Sequence, residues 1–291
     1  MLASRDAAGI SITFYLTRNG SQVMKTRIIS AAVLLPVAIA AIVYGGWPFT
    51  LLVTVAVGAA SWEYVQMLRR KGYTLSPVWM WLIILIWLAD ARFGLGEWLR
   101  LGLALVMLAA SGWQVLRRSK VDPTASWALP LAGGLYLGIG GAYLLRLRLG
   151  VDGLWWVLLA LPVVWIGDSA AYFVGRRYGQ HKMIPAVSPG KSWEGYAAEV
   201  VGGLAAGALL GGLWPRVAGA ALTLNWWRGL LVGGLLAAAT PLGDFFISVI
   251  KREVGVKDSG NLIPGHGGAL DRIDSLLWTG VLTYAVLQLL L

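Results

Sequence analysis

The chain has no cysteine, only two histidines (His181 and His266), and only 13% charged residues among its 291. Without cysteine, disulfides and thiolate metal ligands are excluded, and two imidazoles are too few for a histidine-rich transition-metal site, so any metal must be held by oxygen. The shortage of charge excludes an ordinary soluble domain, which carries about 25% charged residues. Acids are scarcer than bases, 14 against 24, for a net charge of +10. What fills the chain is apolar: 58% hydrophobic residues, 38 glycines, 16 tryptophans and a mean hydropathy of +0.70. These values describe an all-α polytopic membrane protein. The basic residues stand at the ends of apolar runs, as in membrane proteins, so the expected partners are the lipid bilayer and anionic substrates, with no nucleic acid. No soluble domain, repeat array, low-complexity segment or transporter-like inverted repeat is visible.

A span needs about 20 apolar residues. Nine segments qualify, near residues 27–45, 48–68, 77–93, 97–116, 127–147, 153–175, 194–214, 228–250 and 272–291. The fifth carries Gly133, Gly134, Gly138, Gly140 and Gly141, and the seventh Gly202, Gly203 and Gly207, spacings that let helices approach closely. Pro241 and Gly243 are expected to distort the eighth where its polar residues begin. Eighteen of the 24 Lys and Arg fall on one side if the N-terminus is cytoplasmic and the C-terminus outside, which also puts the long polar segments near 176–193 and 251–271 on the cytoplasmic face. Residues 1–23 are polar and unlike a signal peptide, whereas Met24-Lys25-Thr26-Arg27 and the apolar run after it have the form of a membrane-protein start. We expect residues 1–23 to be a disordered or non-native extension, 24–150 a scaffold of helices with dimer contacts, and 151–291 the helices carrying the site.

Ionisable side chains near lipid are costly and mark function by default. They concentrate between Asp244 and Asp274, where four Asp, two Lys, two Arg, one His and five Gly sit between two apolar spans. Asp244, Ser248 and Lys251 share a helix face at i, i+4 and i+7, with Arg252 beside it, and such a stripe can hold a divalent ion next to a phosphate. Lys251 and Arg252 could equally be a snorkelling pair that ends the span, which leaves the deeper Asp244 unexplained. His266 lies among Gly265, Gly267 and Gly268, where backbone N–H groups can converge on an anion; the alternative is a flexible turn with an incidental histidine. Asp271 and Asp274 open the last helix on one face. Helix capping could account for one of them, while two acids with Asp244 across the turn suit Mg²⁺ completed by water and substrate phosphate.

The second polar segment runs from Asp168 to Glu194. Ser188-Pro189-Gly190-Lys191-Ser192 has the composition of a phosphate loop but lacks the GxxxxGK[ST] pattern. Lys191 and Ser192 could grip a nucleotide phosphate; Arg176, Arg177 and Lys182 fit an ordinary basic cytoplasmic loop. Glu63, an odd acid in the second span, reads as a structural partner for a basic residue rather than a catalyst.

Several of these residues carry a resemblance. Ser248-x-x-Lys251-Arg252, Lys257-Asp258, Pro264-Gly265-His266-Gly267-Gly268 and Asp271-Arg272-x-Asp274 together resemble the signature of the phosphatidate cytidylyltransferases, the CDP-diacylglycerol synthases. Asp168, Tyr172-Phe173-x-Gly175-Arg176, Ser188-Pro189-x-Lys191-Ser192-x-Glu194-Gly195 and the opening Lys25-x-Arg27-Ile28-Ile29-Ser30 are similar to the family's other segments, so the likeness spans about residues 24–291. It implies an integral enzyme of the bacterial cytoplasmic membrane, with its active site facing the cytoplasm, that joins CTP to phosphatidate and releases pyrophosphate. It implies Mg²⁺, a second metal expected to be K⁺, a homodimer, and metal binding at Asp244 and Asp271. On that basis Asp244, Asp271, Asp274, Lys251 and Arg252 are the expected catalytic residues. Ser188, Lys191, Ser192, Glu194, Ser248, Lys257, Asp258, His266 and Arg272 are the expected substrate-binding ones. The competing readings are a cytidylyltransferase for another lipid phosphate and, in a different class, a transporter with an intramembrane acidic site. The latter would line a path through both leaflets, whereas the polar residues here gather at one face.

Overall fold

A computed structural model describes residue 30 and residues 32–117, 122–219, 221–263, 265 and 267–290; residues 1–23 lie outside it. The described chain is built of helices: α1 (Ala32–Tyr44), α2 (Gly46–Arg70), α3 (Pro77–Phe93), α4 (Glu97–Arg117), α5 (Pro123–Leu149), α6 (Gly153–Tyr178), α7 (Trp193–Ala218), α8 (Trp226–Ala239), α9 (Pro241–Val254) and α10 (Leu270–Leu290). Among the described residues seven helical segments are long and apolar enough to cross a membrane, with α8 and α9 counting as one; α1 and the 17-residue α3 are shorter. The chain is thus an all-α membrane protein; the expected segment near 228–250 is divided between α8 and α9, the one near 27–45 is described only in part, as α1, and each of the other seven falls on one helix. One addition is a two-stranded antiparallel hairpin, β1 (Lys182–Ile184) and β2 (Ser188–Ser192), inside a segment whose polar composition had read only as loop.

Glycine decides where helices touch. In α5, a Cβ on Gly134 would meet the α3 backbone at Met80, and one on Gly141 would meet Val57 of α2. The α7–α8 contact is closer still. Gly203, Gly207 and Gly211 face Gly233, Gly229 and the Asn225 carbonyl at four-residue spacing, so the two backbones lie directly against each other. That seam holds α7, and the cavity it lines, at a fixed distance from α8.

The eighth span is interrupted at Thr240–Pro241, where a distortion was anticipated. Proline has no N–H to donate to the preceding turn. Thr240 keeps right-handed helical angles (φ −62°, ψ −29°) and donates its Oγ1 to the Leu236 carbonyl at 2.8 Å, so the chain passes from α8 to α9 without unravelling. Asp244 follows directly, at the start of α9. One core runs through both halves of the chain: Phe49, Met67 and Met80 are fully buried with Trp156, Leu159, Leu236 and Ile247. Large apolar side chains such as Leu108 on α4 and Leu209 on α7 lie on the outer surface, where lipid covers them.

Candidate active site

The site forms where α9 meets the hairpin and the start of α10. Lys191, on β2, pairs with Asp244 at 2.8 Å, and its ammonium also stands 4.7 Å from the Phe245 ring centroid. Arg252 donates its Nε to the Val187 carbonyl in the hairpin turn at 3.1 Å and its Nη1 to Val256. These bonds join two polar segments that lie more than 50 residues apart in sequence.

On the other flank Lys251 reaches Asp271 at 2.7 Å, with both side chains nearly buried (10% and 13% exposed). The two oxygens of Asp271 have different duties. Oδ1 meets Lys251, while Oδ2 accepts from Ser259 N at 2.8 Å and Gly268 N at 3.3 Å and lies 3.0 Å from Ser259 Oγ, whose one proton it shares with Glu63. Ser248 donates to Asp244 Oδ1 at 3.3 Å. Asp274 is buried; its carboxylate accepts from Ser275 N at 2.6 Å and lies within electrostatic reach of Asp244, Asp271 and Lys251. The two Lys–Asp pairs are linked through α9, which carries both Asp244 and Lys251, and Asp274 feels charge from each.

A cavity of about 510 Å³ opens beside this cluster between α6, the hairpin and α7. Asp168, Tyr172, Arg176, Lys182, Lys191 and Glu199 are among its lining residues. Asp168 lies within electrostatic reach of Lys191 and Asp244. Glu199 is buried to 5% exposure, and sequence reasoning missed it; the signal was there, an acid inside an apolar span, singled out at Asp168 and passed over one helix later. Volume and lining suit a ligand of nucleotide size with anionic groups.

Other candidates occupy distinct positions. Ser192 is buried and caps α7, accepting from Gly195 N at 3.2 Å. Glu194 clasps the start of β1, accepting from His181 N at 3.1 Å and meeting the His181 ring at 2.5 Å. Ser188 begins β2, and Lys257, Asp258 and Arg272 are exposed on the α9–α10 connection and the first turn of α10. His266 lies outside the described residues. Among the described residues Glu63 meets no basic partner of the expected kind. Instead this buried α2 carboxylate takes hydrogen bonds from Ser259 Oγ at 3.0 Å, Leu270 N at 3.0 Å and Leu262 N at 3.4 Å, all in or next to the α9–α10 loop. The ion pair on the same flank is Lys71 with Glu253, at 2.6 Å; this hydrogen-bonded carboxylate raises the pKa of the exposed Lys71 ammonium.

Carboxylate oxygens are the ligands that hard cations prefer. Among the described residues no group of three or more acids and histidines is arranged to hold an ion alone. The two ammonium groups lying against Asp244 and Asp271 show that each carboxylate already faces positive charge.

The cytidylyltransferase family model matches residues 25–290 of the chain. Among curated proteins, the chain is 34% identical over 268 residues to the phosphatidate cytidylyltransferase of Brucella suis, covering 90% of this chain and 92% of that one. It is 32% identical over 272 residues to the Bacillus subtilis protein of the same name, covering 91% and 98%. The Mycobacterium tuberculosis protein of that name is 32% identical over 273 residues, covering 87% and 79%.

Proposed function

This chain belongs to the cytidylyltransferase family, and we propose from that premise that it makes CDP-diacylglycerol and pyrophosphate from CTP and phosphatidate at the cluster described above. The observation that carries the reading is the joining of Lys191–Asp244 to Lys251–Asp271 beside a nucleotide-sized cavity. The lipid phosphate is largely dianionic at neutral pH, since the second pKa of a phosphate monoester is about 6. It needs no strong general base to attack the α-phosphorus of CTP. A bond forms from the lipid phosphate oxygen to that phosphorus as the bond to pyrophosphate breaks. The obstacle is repulsion between two anions, so catalysis consists of positioning and charge neutralisation.

Lys191 binds the nucleotide phosphates from the hairpin side, with Ser188 and Ser192 on the same strand. Lys251, Arg252, Lys257 and Arg272 provide positive charge for the lipid phosphate and departing pyrophosphate. Asp244 and Asp271 would hold Mg²⁺, which when bound neutralises charge between the two substrates; K⁺ is the expected second ion. Asp274 and Asp258 orient the cations around them. The enzyme acts as a homodimer with nine crossings, in a bacterial cytoplasmic membrane and with the site facing the cytoplasm.

The direct test is pyrophosphate release by detergent-purified protein given CTP and a panel of lipid phosphates, with and without Mg²⁺ and K⁺. Phosphatidate should be the preferred acceptor and Mg²⁺ essential; no release with any lipid defeats the reading. Lys191→Ala should raise the KM for CTP by about 10–100-fold, the worth of a hydrogen bond to a charged group, with a smaller change in kcat. An unchanged KM would make Lys191 a purely structural partner of Asp244. Because the chain has no cysteine, single replacements report sidedness cleanly. Lys182→Cys should react with an impermeant maleimide only from the cytoplasmic side and Arg100→Cys only from the outside. The reverse pattern would invert the topology.

A further inference from the structure

We propose that Glu63 is a positioning residue for Asp271, acting through Ser259 from the far side of the signature loop. The inference rests on the reading that Asp271 holds Mg²⁺. Glu63 stands on α2, nearly 200 residues before the loop in sequence, and is only 3% exposed. Its Oε2 lies 3.0 Å from both Ser259 Oγ and Leu270 N, and its Oε1 accepts from Leu262 N at 3.4 Å. One carboxylate thus grips the loop at its start, its middle and the first residue of α10. The loop is shaped for that grip. A Cβ on Gly260 or on Gly268 would collide with the Glu63 carboxylate, so only glycine lets the backbone close around it.

Ser259, 2% exposed, is the link. Its Oγ is 3.0 Å from Glu63 Oε2 and also 3.0 Å from Asp271 Oδ2, and its N–H donates to the same Asp271 oxygen at 2.8 Å. With Gly268 N, two amide donors converge on Oδ2, and the single Ser259 hydroxyl proton is shared between that oxygen and Glu63 Oε2. That oxygen is saturated, and Oδ1, which faces Lys251, is the one left to offer to a ligand. By fixing Ser259, Glu63 determines which oxygen of Asp271 is presented and in what direction. Groups that orient a metal-binding carboxylate in this way are worth about 10–100-fold in metal affinity or activity.

The test uses full-length protein in detergent, with Mn²⁺ as the probe ion and binding read by electron paramagnetic resonance, alongside steady-state kinetics and thermal unfolding. Ser259→Ala removes the hydroxyl but leaves the Ser259 N–H and the two amide bonds to Glu63. It should weaken Mn²⁺ binding about 10-fold and raise the Mg²⁺ concentration for half-maximal rate by the same factor. The KM for CTP should stay within about twofold. Glu63→Gln, which puts an amide N–H₂ where the loop offers donors, should have the larger effect on the same two quantities. Asp271→Asn is the reference. If it abolishes Mn²⁺ binding while folded Ser259→Ala binds as the parent does, the positioning role is overturned and the metal reading stands. If Asp271→Asn leaves binding intact, the metal reading fails and the proposal fails with it. A uniform fall in kcat with unchanged ion affinity would show Glu63 and Ser259 to be merely structural, and would also overturn it.

Discussion

Asp271→Asn is expected to lower kcat by about a thousandfold, the upper range for removing one preorganised electrostatic contact from a reacting centre. The amide has nearly the shape of the carboxylate, and its oxygen can still accept from Ser259 N and Gly268 N. What disappears is the negative charge that faces Lys251 across 2.7 Å. Breaking a buried ion pair by outright loss of one partner costs about 3–5 kcal/mol. The retained amide dipole and the partial exposure of both groups reduce that cost, so the protein should remain folded with a lower unfolding temperature. Steady-state rates beside size-exclusion profiles of the same preparation separate the two effects. Near-parental turnover from a monodisperse sample would remove Asp271 from the catalytic centre.

Gly207→Leu is expected to abolish folded protein. A Cβ at position 207 collides with the Gly229 carbonyl oxygen of α8, and Gly233 and Gly229 leave no side chain that could rotate away. Relief requires the two backbones to separate along the whole Gly203–Gly211 seam. Overpacking commonly costs about 1–3 kcal/mol where side chains can adjust; against backbone the cost lies at or above that range. Lipid also solvates the separated apolar faces, so no hydrophobic penalty drives them back together. Fluorescence-detected size exclusion after detergent extraction reads the outcome. A monodisperse peak at parental yield would mean that the α7–α8 seam is not needed for the fold. Gly58→Leu is the control, because a Cβ there meets nothing within 4 Å.

The family signature could be read from the chain because its chemistry is local. Asp244, Ser248 and Lys251 share a face through helical periodicity alone, and Asp271 and Asp274 do so at the start of α10. The interruption at Pro241 was legible for the same reason, since a missing N–H acts within one turn. The hairpin at 182–192 was not. Its strands are short and rich in glycine, proline, serine and lysine, and their pairing depends on register rather than on an apolar alternation that sequence displays. Glu63 was legible as an odd acid but not as the anchor of the loop, because its partners are backbone N–H groups, which every residue but proline carries and no sequence pattern singles out. Glu199 shows the reverse, a visible signal whose meaning depends on the cavity it lines.

By itself the sequence determined a helical membrane protein with its scarce ionisable residues in two polar segments, because burying apolar length and satisfying backbone groups in lipid leave few alternatives. Its motifs, written in nearly consecutive residues along α9 and α10, also carried the family resemblance, and it was that resemblance which implied the reaction class. Only the tertiary structure decided which acid meets which base: Lys191 with Asp244 across from the hairpin, Lys251 with Asp271, and Glu63 with a loop nearly 200 residues away. Those pairings depend on how closely helices approach, and that distance is set by glycine seams such as the one between α7 and α8, where the partner of each glycine exists only after the chain has packed.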